Sequence, residues 1–307
     1  MSIACILLSS LLTLVELNCE NLFDCRHDSL KQDIEFTPDG SRHWNTYRYW
    51  KKLNNTAQTI LSCDEQLPDL VALCEVENDT VLHDLTRRSL LRNAGYEYLM
   101  TQSPDIRGLD VALLYQPVSF RPLCYECITV PPLSGMRPTR DILYVQGRLA
   151  QGDTLHLFVV HSPSRYGGEK VSRPYRMQVV QMLDSLLQPL QQKMVAVVGD
   201  FNDYYDNKPL QMLEQKGMTN ATRHAKGRHG KARGTYRYQG NWHSLDHLFL
   251  SSHLFRCLRQ TYINDAAFLL EDDTRYGGFH PRRTFNGLRY QPGFSDHLPL
   301  VAKFEMK

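Results

Sequence analysis

Apolar and polar positions along this chain predict strands more often than helices. Apolar runs of strand length occur at 12–17, 69–74, 96–101, 110–115, 120–130, 142–149, 155–160, 195–198, 245–250 and 300–304, each bounded by polar or turn residues. Gln151-Gly152-Asp153 reads as the turn of a hairpin joining two of them. Helical spacing appears in four places. Tyr47, Trp50, Leu53, Ala57 and Ile60 recur three or four residues apart. Val81, Leu82 and Leu85 form the inner face of a helix capped by Asn78 or Asp79. Leu183, Leu186, Leu187 and Leu190 form the stripe of a long helix. Ser172 is its expected cap, and Pro174 falls in its expected first turn, where a missing N–H costs nothing. Leu210 and Leu213 mark a short helix, and the polar, turn-rich stretch 20–44 reads as a long loop. Strand clusters occur in both halves, each with helices, which predicts two sheets packed face to face with helices outside. No linker or low-complexity tract intervenes, so residues 1–307 are expected to form a single domain.

Composition narrows this picture without redirecting it. A hydrophobic content of 42% supports a full core, and a net charge of +2 leaves any basic surface to be local. The eight cysteines lack the spacing of a small disulfide-stapled fold. Cys19 and Cys74 lie inside apolar runs and read as reduced, buried thiols. Cys124 and Cys127 have zinc-knuckle spacing, but no second Cys/His pair follows, so they read as packing residues. The apolar N-terminus lacks a preceding Lys or Arg and a clean cleavage site, and it runs into the first strand. Residues 1–11 are therefore read as signal-like or disordered, with a cytoplasmic location favoured over export. No segment is long and apolar enough for a stable membrane span.

Acidic residues sit at the ends of three runs. Glu75 follows 70–74, Gly199-Asp200-Phe201-Asn202 follows 194–198, and Ser295-Asp296-His297 precedes 298–301. Carboxylates at buried strand ends are costly unless they meet a cation or another partner. Three such ends suggest one shared site. Hard oxygen ligands with few cysteines or histidines suit Mg²⁺ or Mn²⁺ rather than zinc. Asp200 and Asn202 alternate with Phe201, so in an extended segment they face one side while Phe201 packs inward. Plainer readings stand beside these: Glu75 as a helix-cap acid, Asn18 as a turn residue, and Asp200-Phe201-Asn202 as a turn after a core strand.

Six segments, in order and spanning nearly the whole chain, resemble the endonuclease/exonuclease/phosphatase superfamily with its deoxyribonuclease-I-like fold. They are Leu17-Asn18-Cys19-Glu20-Asn21-Leu22-Phe23-Asp24, Ala72-Leu73-Cys74-Glu75, Val160-His161-Ser162-Pro163-Ser164, Val198-Gly199-Asp200-Phe201-Asn202-Asp203, Ser244-Leu245-Asp246-His247 and Ser295-Asp296-His297-Leu298-Pro299. The resemblance implies an α+β fold of two mixed β-sheets packed face to face as a sandwich and flanked by helices. It implies a monomeric, Mg²⁺- or Mn²⁺-dependent phosphoesterase that uses in-line attack of activated water. Nuclease (phosphodiesterase) action is slightly favoured over a phosphoinositide or other phosphomonoester phosphatase, or a phospholipid phosphodiesterase. A non-catalytic binding protein on the same fold is disfavoured by the full set of polar site residues. By the same resemblance Glu75, Asn18 and Asp296 serve the metal, and Asp200 orients or deprotonates water. Asn202 and His161 donate to phosphoryl oxygens, and His297 pairs with Asp246. Asp110 is a candidate partner for His161, or equally a structural strand-end acid with Arg107.

Substrate contacts are less distinctive. Ser164-Arg165-Tyr166-Gly167-Gly168 departs from versions of the family with Tyr or Asn close after the histidine, and Arg165 reads as a phosphate ligand or a solvated charge. Arg137 and Arg140 are similar in kind. Two late loops, 223–237 and 274–294, combine arginines with Tyr236, Tyr276 and Tyr290 and precede catalytic motifs. Basic and stacking groups together suit nucleic acid, which is slightly favoured as the partner, but also a phosphorylated sugar or lipid headgroup. Arg165, Arg140, Tyr236 and Arg282 are the expected substrate residues.

Overall fold

The computed structural model describes residues 10–306, and their strands are numbered in chain order. They are β1 (Ser10–Leu22), β2 (Leu70–Val76), β3 (Glu97–Met100), β4 (Asp110–Tyr115), β5 (Phe120–Ile128), β6 (Ile142–Leu149), β7 (Thr154–His161), β8 (Met194–Asp200) and β9 (Thr219–Asn220). Then follow β10 (Tyr236–Tyr238), β11 (Asn241–His243), β12 (Asp246–Leu250), β13 (Leu258–Ile263), β14 (Leu270–Asp272), β15 (Phe279–Pro281), β16 (Phe285–Asn286), β17 (Arg289–Tyr290) and β18 (Leu300–Met306). The helices are α1 (Thr46–Leu61), α2 (Asp79–Arg87), α3 (Glu169–Leu187), α4 (Lys208–Gln215) and the short α5 (Ser252–Phe255). One six-stranded sheet has the order β13-β18-β1-β2-β4-β3, and the other β5-β6-β7-β8-β12-β9. Both are mixed. The β1–β2 and β7–β8 pairs are parallel, and their outer neighbours are antiparallel.

Strand alternation separates three apolar layers. Leu12 and Leu14 of β1, Leu70 and Ala72 of β2, Leu157 and Val159 of β7, and Ala196 and Val198 of β8 meet in a core between the sheets. The intervening Val15, Leu17, Val71 and Leu73 face outward and are covered by Leu53, Ala57 and Ile60 of α1 and by Val81, Leu82 and Leu85 of α2. Phe158, Val160, Val195 and Val197 pack on the outer side of the second sheet against Val179, Val180 and Leu183 of α3 and Leu210 and Leu213 of α4. Leu53, Leu73 and Leu183 are all 0% exposed, and burying each such side chain contributes about 1.5–3 kcal/mol.

Several local expectations change. Strand β1 continues to Leu22 through a register shift between Asn18 and Leu22, so the loop begins later than 20. Helix α3 begins at Glu169 after Gly168, whose φ of +94° suits glycine. Ser172 is therefore inside the helix, and its hydroxyl donates to the Gly168 carbonyl (2.8 Å) instead of capping. Pro174 lies inside as well, and the partner it forgoes is the carbonyl of exposed Lys170, which water can satisfy. Edge strand β13 has mostly exposed or half-exposed positions and so gave no apolar run. Asn78 is the cap of α2, its side chain accepting from Val81 N (3.0 Å). Cys19 and Cys74 are buried free thiols, and Cys124 and Cys127 are exposed free thiols on β5. Of the apolar N-terminus, residues 1–9 lie outside the described residues, and Ser10 and Leu11 belong to β1. No helix among the described residues is long and apolar enough to cross a membrane.

Candidate active site

The inward-facing alternation that builds the core also ends in polar groups. On β1 the series Leu12, Leu14 continues to Glu16 and Asn18. On β7, β8 and β12 it ends at His161, Asp200 and Asp246. Sheet register places His161 opposite Asp200, and Asp200 opposite Asp246. Gly199 permits this close row: its φ is +145°, and a Cβ there would lie 1.9 Å from the Val160 carbonyl oxygen.

Asp200 is the hub. Its Oδ2 accepts from Asn18 Nδ2 (3.0 Å), and its Oδ1 accepts from the Asn202 amide (2.7 Å). Asn202, at φ +51°, donates through Nδ2 to Ser162 O (3.1 Å). Asp200 and Asn202 both line the cavity, and Phe201 turns away to pack on Phe249. Burial, followed by the Asp246 charge, raises Asp200 to about 7.

Glu75 lies within β2 at φ +64°, a conformation that side-chain-bearing residues seldom adopt. Its Oε2 accepts from the Asn21 amide (2.8 Å), and its Oε1 is 3.8 Å from His161 Nε2. Asp200 Oδ2 lies 3.7 Å from the same nitrogen. His161 is nevertheless held well below the usual imidazole range, by burial first and then by the Arg140 and Arg107 charges. Asp110 is not its partner. It accepts from Thr101 Oγ1 and from Ser103, and His161 Nδ1 is buried without a hydrogen bond among the described residues.

His297 is the opposite case. Its Nδ1 is 2.8 Å from Asp246 Oδ2, an oxygen that also accepts from the Thr235 hydroxyl. Burial alone would lower its pKa, but the Asp246 charge and hydrogen bond outweigh burial and hold it well above the usual range. Tyr236 packs against it, its ring tilted by 39° at 5.0 Å between centroids. Asp296 pairs with Arg283 (3.3 Å).

Asn18, Glu75, His161, Asp200, Asn202, Asp296, His297, Arg140, Arg165 and Tyr236 line one cavity of about 500 Å³, and Asp246 lies buried behind His297. The expectations for Arg282 change. It does not line the cavity, whereas its neighbour Arg283 meets Asp296. Many basic side chains of the late loops are engaged elsewhere. Arg237 donates to the Phe279 and Gly277 carbonyls, Arg228 pairs with Glu65, and Arg275 lies over Tyr276. Tyr290 packs with Trp44 and Phe285.

Other residues at the site were not anticipated. Glu16 is 1% exposed; burial, then Asp246 and Asp200, push it well above the usual carboxylate range. Among the described residues neither of its carboxyl oxygens finds a hydrogen-bond donor. An acid on the inward phase of an apolar strand was the available signal. Asn21, Arg107, Ser164, Glu169, Tyr204 and Tyr238 complete the cavity wall. They come from loops or from the ends of strands and of α3, where no periodicity marks them.

Glu16, Glu75, Asp200 and Asp246 form a carboxyl-rich end with few compensating cations, so the donor chemistry fits a hard divalent ion. Asp200, Asp246 and His297 each offer a ligand atom within 4.8 Å of the others. Asp246 and His297 already pair with one another; Glu75, Asp200 and Asp296, with Asn18, line the cavity beside them, Asp296 paired with Arg283.

No curated protein matches the chain. Several solved structures share its fold. An endonuclease/exonuclease/phosphatase family protein from Bacteroides thetaiotaomicron is 14% identical with a TM-score of 0.64, over 97% of this chain and 99% of that one. The mannosyl-6-phosphatase of B. thetaiotaomicron VPI-5482 is 16% identical with a TM-score of 0.59, over 95% and 98%. D. rerio TDP2 complexed with single-strand DNA product is 16% identical with a TM-score of 0.57, over 97% and 100%. With the profile of the Endonuclease/Exonuclease/phosphatase family matching residues 13–306, nearly the whole length that carries these strands and site residues, the chain belongs to that family.

Proposed function

We propose that the chain acts as one domain to hydrolyse a P–O bond of a phosphoester by in-line attack of water. The observation that supports this best is the convergence of Glu75, His161, Asp200, Asn202 and His297 on one cavity. In this reading Glu75 and Asp296, with Asn18 beside them, hold Mg²⁺ or Mn²⁺, which when bound supplies a Lewis acid for a phosphoryl oxygen. Asp200, raised to about 7, accepts the proton of the attacking water, since a general base works best near the operating pH. Asn202 Nδ2 and neutral His161 donate hydrogen bonds to the oxygens on which charge develops. His297, kept protonated by Asp246, offsets that charge and delivers a proton to the leaving oxygen.

Two substrate readings have specific support. Tyr204, Tyr236 and Tyr238 line the cavity, and aromatic side chains suit the bases of a nucleic-acid strand; the similar D. rerio structure is bound to single-strand DNA product. A small phosphomonoester suits a cavity of about 500 Å³ and the internal engagement of Arg228, Arg237 and Arg275, and one similar structure is a mannosyl-6-phosphatase. On this support we place the small ester first, ahead of the nuclease reading. A panel with Mg²⁺ or Mn²⁺ tests this, using duplex, abasic and single-stranded DNA, RNA, inositol and sugar phosphates, and a chromogenic phosphodiester. Release of inorganic phosphate without strand cleavage is the expected result. Strand cleavage alone would promote the nuclease reading, and no turnover on any phosphoester would refute both.

A further inference from the structure

Among the described residues, one guanidinium at the cavity has no anionic partner. Arg165 pairs with Asp203 (3.1 Å), Arg140 with Asp105 (3.2 Å) and Arg283 with Asp296 (3.3 Å). Arg107, exposed on the cavity wall, donates only to the neutral Asn21 Oδ1 and makes no ion pair among the described residues. Asn21 in turn donates its amide to Glu75 Oε2 (2.8 Å). The uncompensated charge is therefore two hydrogen bonds from the carboxylate expected to serve the metal.

Arg107 is presented by a built turn. Asp105, 3% exposed, accepts the Arg107 amide at Oδ1 (2.9 Å) and Arg140 Nη1 at Oδ2 (3.2 Å). Lys31 Nζ ties the same turn down through the Ser103 and Asp105 carbonyls (2.8 and 2.9 Å). Arg140, 7% exposed, reaches on to Ser162 O (2.8 Å), the carbonyl that also receives Asn202 Nδ2. One buried carboxylate thus links the Arg107 turn to the strand end that carries His161. Burying Arg140 is costly, and Asp105 offsets that cost by cancelling its charge. Arg107 is then left as a net positive charge held at a fixed place on the wall. A planar guanidinium in that position suits a phosphate, which it can bind through two parallel hydrogen bonds.

We propose that Arg107, set in place by Asp105 and Arg140, is a specificity-determining subsite for a second, non-scissile phosphate, so that the preferred substrate is a phosphoester carrying two phosphate groups. This rests on the phosphoesterase reading above. The second phosphate could belong to a small bisphosphate or to the next position of a nucleic-acid strand; the chemistry is the same.

The test compares kcat/KM in Mg²⁺ for two pairs of substrates. One is a nucleoside 3′,5′-bisphosphate against the 3′-monophosphate. The other is a 5′-phosphorylated dinucleotide against its unphosphorylated form. The wild-type enzyme should prefer the extra phosphate by about tenfold or more in one pair. Arg107→Ala should reduce that preference to about twofold, mostly through KM, with Arg107→Lys intermediate. Preference in the nucleoside pair identifies a small bisphosphate, and preference in the dinucleotide pair identifies a strand; either sustains the subsite. No preference in either pair, or a preference that survives Arg107→Ala, overturns it. Calorimetry of inorganic phosphate with the chelator-treated protein reads the subsite without turnover. Binding should weaken about fivefold or more in Arg107→Ala, and unchanged binding would also overturn it. If no ester is turned over while phosphate binding still depends on Arg107, the phosphoesterase reading fails and the anion subsite stands.

Discussion

Changing Asp246 to asparagine removes one charge and almost no volume. Asp246 is 0% exposed and His297 7% exposed, so their 2.8 Å contact is buried. A hydrogen bond to a charged partner contributes about 1.5–3 kcal/mol. If that energy acts in the transition state, at about 1.4 kcal/mol per factor of ten the loss is about 10- to 150-fold in kcat/KM. The pH profile should change as well. With a pKa raised above its unfolded value, protonated His297 contributes fully below the unfolded value, and that contribution is lost as pH rises through the folded one. Without the Asp246 charge, burial prevails and the protonated form is lost at lower pH. Asp246→Asn should therefore move the alkaline limb of activity downward. The assay is kcat/KM against pH on a turned-over ester, with the His297 ring followed by NMR. His297→Ala and Asp246→Asn should lose less together than the sum of their separate losses. A loss under about threefold with an unmoved alkaline limb, or strictly additive losses, would refute the pairing.

Four further outcomes are expected. Activity with Mg²⁺ or Mn²⁺ should vanish in excess chelator, and Glu75→Gln should raise the metal concentration needed while leaving the circular dichroism spectrum unchanged; full turnover in chelator would end the metal mechanism. His161→Ala should cost about a hundredfold in turnover, as for loss of one transition-state donor, and a change within a few-fold would remove His161 from the chemistry. Glu16 has a folded pKa above its unfolded value, so its contribution to stability is complete at low pH and lost as pH rises through the folded value. Glu16→Gln should thus melt above wild type at about pH 9 and alongside it at about pH 4, and the reverse order would contradict an upward shift at Glu16. Lys52 is 1% exposed, donates to Thr284 Oγ1 (2.7 Å) and lies 3.8 Å from Glu20, so Lys52→Met strands a buried carboxyl group and should lower unfolding free energy in urea by about 3–5 kcal/mol.

The period-two pattern of β1, β2, β7 and β8 and the helical stripes of α1 to α4 were legible in the chain, because each depends on neighbours a few residues away. So was the chemistry at strand ends, since Glu75, Asp200 and the Asp296-His297 pair interrupt or border apolar runs that would otherwise exclude them. Residue spacing alone could not show that His161, Asp200 and Asp246 form one row. Register between β7, β8 and β12 joins positions up to 85 residues apart. Nor could it show which charges are already neutralised. Arg283 rather than Arg282 meets Asp296, Arg237 is used on carbonyls, Asp110 serves Thr101 and Ser103, and Arg107 makes no ion pair among the described residues. Residue type and local period determine which face a side chain occupies. The partner of a buried or rim charge is chosen by long-range packing, because its energy depends on what else the fold brings within a few ångströms.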